Sequence, residues 1–292
     1  MAVDPEALEP LVALLDDRDT VVTQLVDNQL MSYGPDVVRS LHNRSEREPD
    51  PHRKALITER ARQLNAEFKL ADFQEFITHA PTPFSLFESG WIISSLFDWT
   101  LHRERYETLF YRCTEAYMTE GSDLRTGVEN IRVLNHIFWH KLRFTLYDVQ
   151  LKDPQRALLG DALQTRSGNP FVLAYIYLMI CQTAGLSVEL LCFPGGFVPA
   201  YVENGHILFY INIYHDGDLF PKERLDSFLQ ATGLTIDRDA FRRRDESAML
   251  TLYLESLLYI HAQKKDEKMS ALIERALSCL GPERFLTIDA PE

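Results

Sequence analysis

Apolar residues recur at helical spacing through the first half of the chain. Leu8, Leu11, Val12, Leu14 and Leu15 form one stripe, and Asp4-Pro5 ahead of it supplies a cap and a proline at the first helical position. Val21, Val22, Leu25, Val26 and Leu30 form a second stripe. Gly34-Pro35 ends that helix and opens a third through Val37, Val38 and Leu41. The polar, proline-bounded segment Asn43–Pro51 reads as a surface loop. Helices are then expected at about 52–66, 69–78, 83–98, 102–119 and 124–142, with His79-Ala80-Pro81-Thr82-Pro83 separating two of them. Short helices that cannot bury their stripes alone are expected to stack as in helical-repeat proteins, although the chain has no strict internal period.

The pattern changes after Phe144. A helix near 154–165 is followed by Arg166-Ser167-Gly168-Asn169, which opens another at Pro170, and Gly185 closes it. From Phe171 to Cys181 this helix has no polar face, so it must be covered on every side and is expected at the centre of its domain. Val188–Phe193, Phe197–Val202 and Ile207–Ile213 are β-type runs joined by Pro194-Gly195-Gly196 and Glu203-Asn204-Gly205, which predicts a small antiparallel meander. Helices at about 221–230, 237–262 and 265–280 close the chain, the last two as a hairpin turning at Gln263-Lys264.

Composition narrows the function classes. The 292 residues are 46% hydrophobic, 11% aromatic and 25% charged, which fits a globular chain rather than a disordered, collagenous or membrane one. Acidic residues number 43 against 30 basic, a net charge of −13 that disfavours nucleic-acid or anionic-membrane partners. The basic clusters Arg242-Arg243-Arg244 and Lys264-Lys265 with Lys268 are diluted by acidic neighbours and read as solvated helix faces. Cys113, Cys181, Cys192 and Cys279 form no close pair, which speaks against a disulfide scaffold and suits a reducing compartment. Pro170–Cys181 is well short of the ~20 apolar residues of a membrane span. The opening Met-Ala-Val-Asp-Pro-Glu lacks the features of a signal peptide, so a cytoplasmic location is expected.

Few motifs carry chemistry. No glycine-rich phosphate loop follows a strand. His136 and His140 have the i, i+4 spacing that lets two imidazoles share a metal, but Ile137 stands where the zinc-peptidase motif needs Glu. Asp216-Gly217-Asp218 begins like a calcium loop and lacks the downstream ligands. Neither metal nor cofactor is expected.

A buried helix followed by an antiparallel sheet is the core order of papain-like and transglutaminase-like enzymes. Leu-Asn-His-Ile-Phe (134–138), Arg-Ser-Gly-Asn-Pro (166–170), Ala-Tyr-Ile-Tyr-Leu (174–178), Ala-Gly-Leu-Ser-Val (184–188) and Phe-Pro-Gly-Gly-Phe (193–197) occur here in sequence. Together they make Leu134–Leu225 resemble the SirB-type bacterial transglutaminase-like proteins. The likeness extends outward through Leu14-Leu15-Asp16-Asp17 within Leu8–Leu41, through Phe87-Glu88-Ser89-Gly90, and through a C-terminal pair similar to a tetratricopeptide-like hairpin. The resemblance implies a predominantly helical α+β fold with three parts. These are a helical N-terminal region (1–123), a cysteine-protease-like transglutaminase core with a small antiparallel sheet (124–232), and a helical hairpin (233–292).

In active relatives a Cys opens the buried helix, where the helix dipole favours its thiolate, and His and Asp come from adjacent strands. The matching positions here read Pro170, Gly196 and Asn212, the last within Ile211-Asn212-Ile213-Tyr214. SirB-type relatives often lack the Cys too. The resemblance thus implies a degenerate triad and a non-catalytic protein- or peptide-binding or regulatory module, with Arg166, Asn169, Asn212 and Tyr214 as candidate binding residues. Capping and turn formation account equally well for Arg166 and Asn169. An alternative is a cysteine-dependent hydrolase or transamidase with a displaced nucleophile, Cys192, served by a His such as His206 or His215. That alternative requires a solvent-reachable, low-pKa thiol beside the imidazole. A purely structural scaffold would have no concave site.

Overall fold

The structure, a computed structural model, describes residues 3–81, 83–193, 196–231, 243–244 and 246–286. Helices α1 (Pro5–Ala13), α2 (Thr20–Ser32), α3 (Asp36–Glu46), α4 (Pro51–His79), α5 (Leu86–Phe97), α6 (Arg103–Met118) and α7 (Gly127–Asn135) come first. A π-helical turn, His136–Lys141, continues α7. Strands β1 (Thr145–Leu146) and β2 (Ser167–Gly168) pair in parallel, with α8 (Leu159–Thr165) between them in sequence. Then come α9 (Pro170–Thr183), β3 (Val188–Phe193), β4 (Gly196–Glu203), β5 (His206–Asn212), a 3-10 turn (Ile213–His215), β6 (Asp218–Phe220), α10 (Lys222–Ala231), β7 (Arg243–Arg244), α11 (Glu246–Gln263) and α12 (Glu267–Cys279). The main sheet is antiparallel in the order β6-β5-β4-β3-β7. The predominantly helical α+β class expected from the sequence is the class observed.

Several elements differ from expectation for identifiable reasons. The polar segment after Leu41 is helical as far as Glu46, because Arg44 bonds Glu9 at 2.5 Å and Glu48 at 2.9 Å. The two helices expected at 52–66 and 69–78 are one helix, α4, with no Gly or Pro to break it. Strands β1, β2, β6 and β7 are two or three residues long, too short for alternation to register. Arg243 and Arg244 pair with Leu191 and Leu190 as strand β7, not as part of a helix. The rest of the expected 237–245 stretch, with Arg242, lies outside the described residues, as do Pro194 and Gly195 of the β3–β4 turn.

The chain divides into two compact units, Met1–Asp72 with Ser95–Trp99, and Phe73–Ser94 with Thr100–Glu292. The first is built on a core of Leu8, Val12, Leu30, Leu41, Ile57 and Leu64. It is the helical stack that the first three stripes announce.

The second unit is organised around α9. Every residue from Pro170 to Cys181 is buried, as a helix without a polar face requires. Asn169 caps it, its Oδ1 accepting from Val172 N at 2.9 Å, and Pro170 takes the first helical position. Helices α8 and α11 and strand β3 pack on it. The Phe87-Glu88-Ser89-Gly90 motif on α5 is explained contact by contact. Phe87 packs its ring on Tyr106, Phe110 and Tyr111, and Glu88 bonds Arg103. Ser89 Oγ shares a 2.8 Å hydrogen bond with the Tyr175 hydroxyl, and Gly90 lets Tyr106 and Tyr175 approach the helix.

Glu255 on α11 is fully buried, and its carboxylate accepts from Phe285 N at 3.1 Å and Leu286 N at 2.9 Å, fastening that segment. Burial pushes its carboxyl above the ordinary glutamate value, while the two backbone donors and Arg284 act the other way. A raised folded pKa means that the folded chain keeps a proton the unfolded chain has released. Stability therefore falls as pH climbs from the ordinary glutamate value through the raised one, and below that window this group adds no slope. Glu255→Gln is expected to lose this component. The stability difference between wild type and variant, followed by urea melts in steps through mildly acidic pH, should shift in favour of the wild type as pH falls. A difference that stays flat would contradict the assignment.

Candidate functional site

The main sheet opens at one corner of the second unit. Strand β4 pairs with β3 along Gly196–Tyr201, but its ladder with β5 has its last pair at Ala200–Tyr210. Pro199 has no N–H to donate, and beyond it Gly196–Pro199 and Ile211–Asn212 make no β4–β5 pair. A cleft of about 460 Å³ lies at this opening. Its walls are largely apolar and include Phe193, Val198, Ile213, Phe220, Leu225 and Phe228, with Asn212, Tyr214, His215 and Arg224 supplying polarity. Tyr214 and Phe228 remain 45% and 56% exposed. A volume of this size suits a small ligand or a short extended segment.

The residues expected at a site fall into two groups. Gly196, Asn212 and Tyr214 line the cleft together. Gly196 is tightly fitted, because a Cβ there would stand 2.6 Å from the ring of Phe193 and force that ring aside. Asn212 caps the 3-10 turn, its Oδ1 accepting from Tyr214 N at 3.0 Å. Pro170, Arg166 and Asn169 are not among the lining residues. The α9 end does meet the sheet nearby, where the Phe171 and Phe197 rings lie 5.2 Å apart. Asn169 is fully buried and capping. Arg166 sits in the left-handed region at φ 59, donates to Cys113 Sγ at 2.7 Å and lies over the Phe144 ring at 5.0 Å. Burial pushes the Cys113 thiol up, with the Arg166 charge acting against it.

Cys192 is 1% exposed and does not line the cleft. Strand alternation puts it on the face opposite Leu191, which packs with Leu225 and Leu229 of α10. Its cross-strand partner is Phe197, whose ring lies on Phe171 of α9. The thiol therefore belongs to the packed α9 side of the sheet.

A second, polar pocket of about 400 Å³ brings His136 and His140 together with Asp216 and Asp218. The imidazole centroids are 5.6 Å apart. Asn135 ties the two segments, donating to Gly217 O at 2.6 Å while its Oδ1 accepts from the Tyr177 hydroxyl at 2.8 Å. Among the described residues no three His, Cys, Asp or Glu side chains are grouped so as to hold a metal ion.

Residues 102–254, more than half of the chain, match the sequence profile of the transglutaminase-like superfamily. The chain belongs to that superfamily. The transglutaminase-like region takes in α9, the whole of β3–β6 and the cleft between β4 and β5. Two UPF0162 proteins of Xylella fastidiosa, from strains Temecula1 and 9a5c, are each 25% identical to this chain over 93 residues, 32% of this chain and 33% of theirs. The chain thus spans about a third of the length of these curated relatives. No solved structure matches it. Among the described residues no helix of this transglutaminase-like protein is long and apolar enough to cross a membrane.

Sequence reasoning missed the contribution of α10. Arg224 and Phe228 are four residues apart and so share one helix face, which here borders the cleft. The one usable sign was Pro199, a proline in the middle strand of a meander, where a continuous ladder should not tolerate it.

Proposed function

We propose that this transglutaminase-like protein is a non-catalytic, SirB-type member whose degenerate cleft binds a protein or peptide segment. The observation that carries this reading is the lining of the cleft. At the positions matched to the family's His and Asp, Gly196 leaves its space to the Phe193 ring, and Asn212 spends its oxygen on a turn. Pro170, at the position matched to the nucleophile, offers no side-chain nucleophile. What the cleft retains is recognition chemistry: aromatic side chains, a strand opening and a few polar groups. The burial of Cys192 on the α9 side speaks against the displaced-nucleophile alternative, since a reactive thiolate needs solvent access and a stabilising positive neighbourhood.

The helical region 1–123 and the α11–α12 pair, proposed as a tetratricopeptide-like hairpin within 233–292, are assigned the remaining contact area with a macromolecular partner. A random peptide library displayed on phage tests the reading. The full chain should enrich a related set of sequences, and Phe228→Ser or Tyr214→Ala, at exposed lining side chains, should lose that set with melting temperature unchanged. Enrichment of the same sequences by both variants would place binding outside the cleft and overturn the proposal.

A further inference from the structure

The cleft has one feature that a generic peptide groove does not need. Arg224 stands on its rim from the first turn of α10, in a chain of net charge −13, with no carboxylate partner among the described residues. Its guanidinium lies 5.9 Å from the centroid of Phe220, a contact that holds the charge beside the aromatic wall. Two arginines elsewhere in the second unit are used differently: Arg103 bonds both Glu88 and Glu107, and Arg156 bonds Asp161. An arginine without a carboxylate partner among the described residues, at the edge of an apolar cleft, is complementary to an anion that arrives attached to apolar groups.

Geometry narrows the anion. Arg224 and Phe228 are i, i+4 neighbours with Cβ atoms roughly 5–6 Å apart, so a carboxylate held by the first and a side chain packed on the second must come from adjacent parts of one ligand. A terminal residue carries both groups on one Cα. Gly196–Pro199, paired with β3 alone, and Ile211–Asn212, paired with β6 alone, leave facing edges that offer backbone walls for the extended chain that would precede it.

We infer that the cleft captures the C-terminus of a polypeptide, with the free α-carboxylate on Arg224 and an apolar final side chain against Phe228 and Tyr214. This rests on the proposed binding role of the cleft and names the class of ligand it takes.

The test is fluorescence anisotropy of the full chain with dansyl-Ala-Val-Leu-Phe bearing either a free C-terminal carboxylate or a C-terminal amide. The acid is expected to bind at least tenfold more tightly than the amide. Arg224→Gln should bring the acid to the level of the amide and leave amide binding unchanged, whereas Phe228→Ser should weaken both. Equal binding of acid and amide by the wild type would overturn the carboxylate assignment and leave the cleft as a peptide groove. Binding of neither peptide would overturn both readings together.

Discussion

Replacing Leu178 by Ala is expected to destabilise the protein by roughly 2–5 kcal/mol, through lost transfer free energy and the cavity left behind. Leu178 is 5% exposed in the middle of α9, and its helical neighbours Tyr175, Tyr177 and Met179 are fully buried. The helix has no solvent-facing side into which the structure can relax, so the cost should not fall to the low end for want of packing. At about 2–4 °C per kcal/mol for a large domain, the melting temperature should drop by roughly 4–20 °C. A calorimetric midpoint within a degree of wild type would mean that α9 is not the centre of the second unit.

Gly90→Val is expected to be nearly as damaging, for the opposite reason. A Cβ at position 90 would stand 2.6 Å from Tyr106 Oη and 3.1 Å from Tyr175 Cε1, both in fully buried rings. Removing a helical glycine gains at most about 1 kcal/mol of propensity, whereas overpacking a filled core costs about 1–3 kcal/mol and grows with each further carbon. Packing wins, and the two extra methyl groups of Val make the sign secure. The movement of Tyr175 would also disturb its hydrogen bonds to Ser89 and Leu86 O. Thermal melts should place Gly90→Val several degrees below wild type, with Gly90→Ala between them. A Gly90→Val protein as stable as wild type would show that the motif 87–90 is not held by this packing.

The parts of the fold that were legible in the sequence are those in which one residue pattern decides one structure. Pro170–Cys181 could only be a covered helix, and Val188–Phe193 with its two successors could only be a meander. Asp4-Pro5 and Asn169-Pro170 marked helix starts that the structure keeps, with both caps made. The continuous α4 was not legible, because a polar-rich stretch without Gly or Pro gives no sign of where, or whether, a helix stops. Strand β7 was not legible either, because two arginines pair there through backbone groups that any residue supplies.

The candidate site was legible only along single strands. The motif match placed Gly196, Asn212 and Tyr214, and these do share a cleft. It also nominated Arg166 and Asn169, whose side chains turn to Cys113 and to the α9 cap. A motif fixes where a backbone lies but not which way its side chains point. The cleft itself arises between elements: a ladder ends at Pro199, and α10 brings Arg224 and Phe228 to its rim. Only the proline is visible in one dimension.

The proposal that the transglutaminase-like core is non-catalytic meets its sharpest test in mass spectrometry of the full chain incubated with a glutamine-containing peptide and a primary amine at neutral pH. The expected result is that neither transamidated nor hydrolysed peptide accumulates above the level of a Cys192→Ser control, and that iodoacetamide alkylates Cys192 more slowly than it alkylates free cysteine. Product formed by the wild type and abolished by Cys192→Ser would contradict the account.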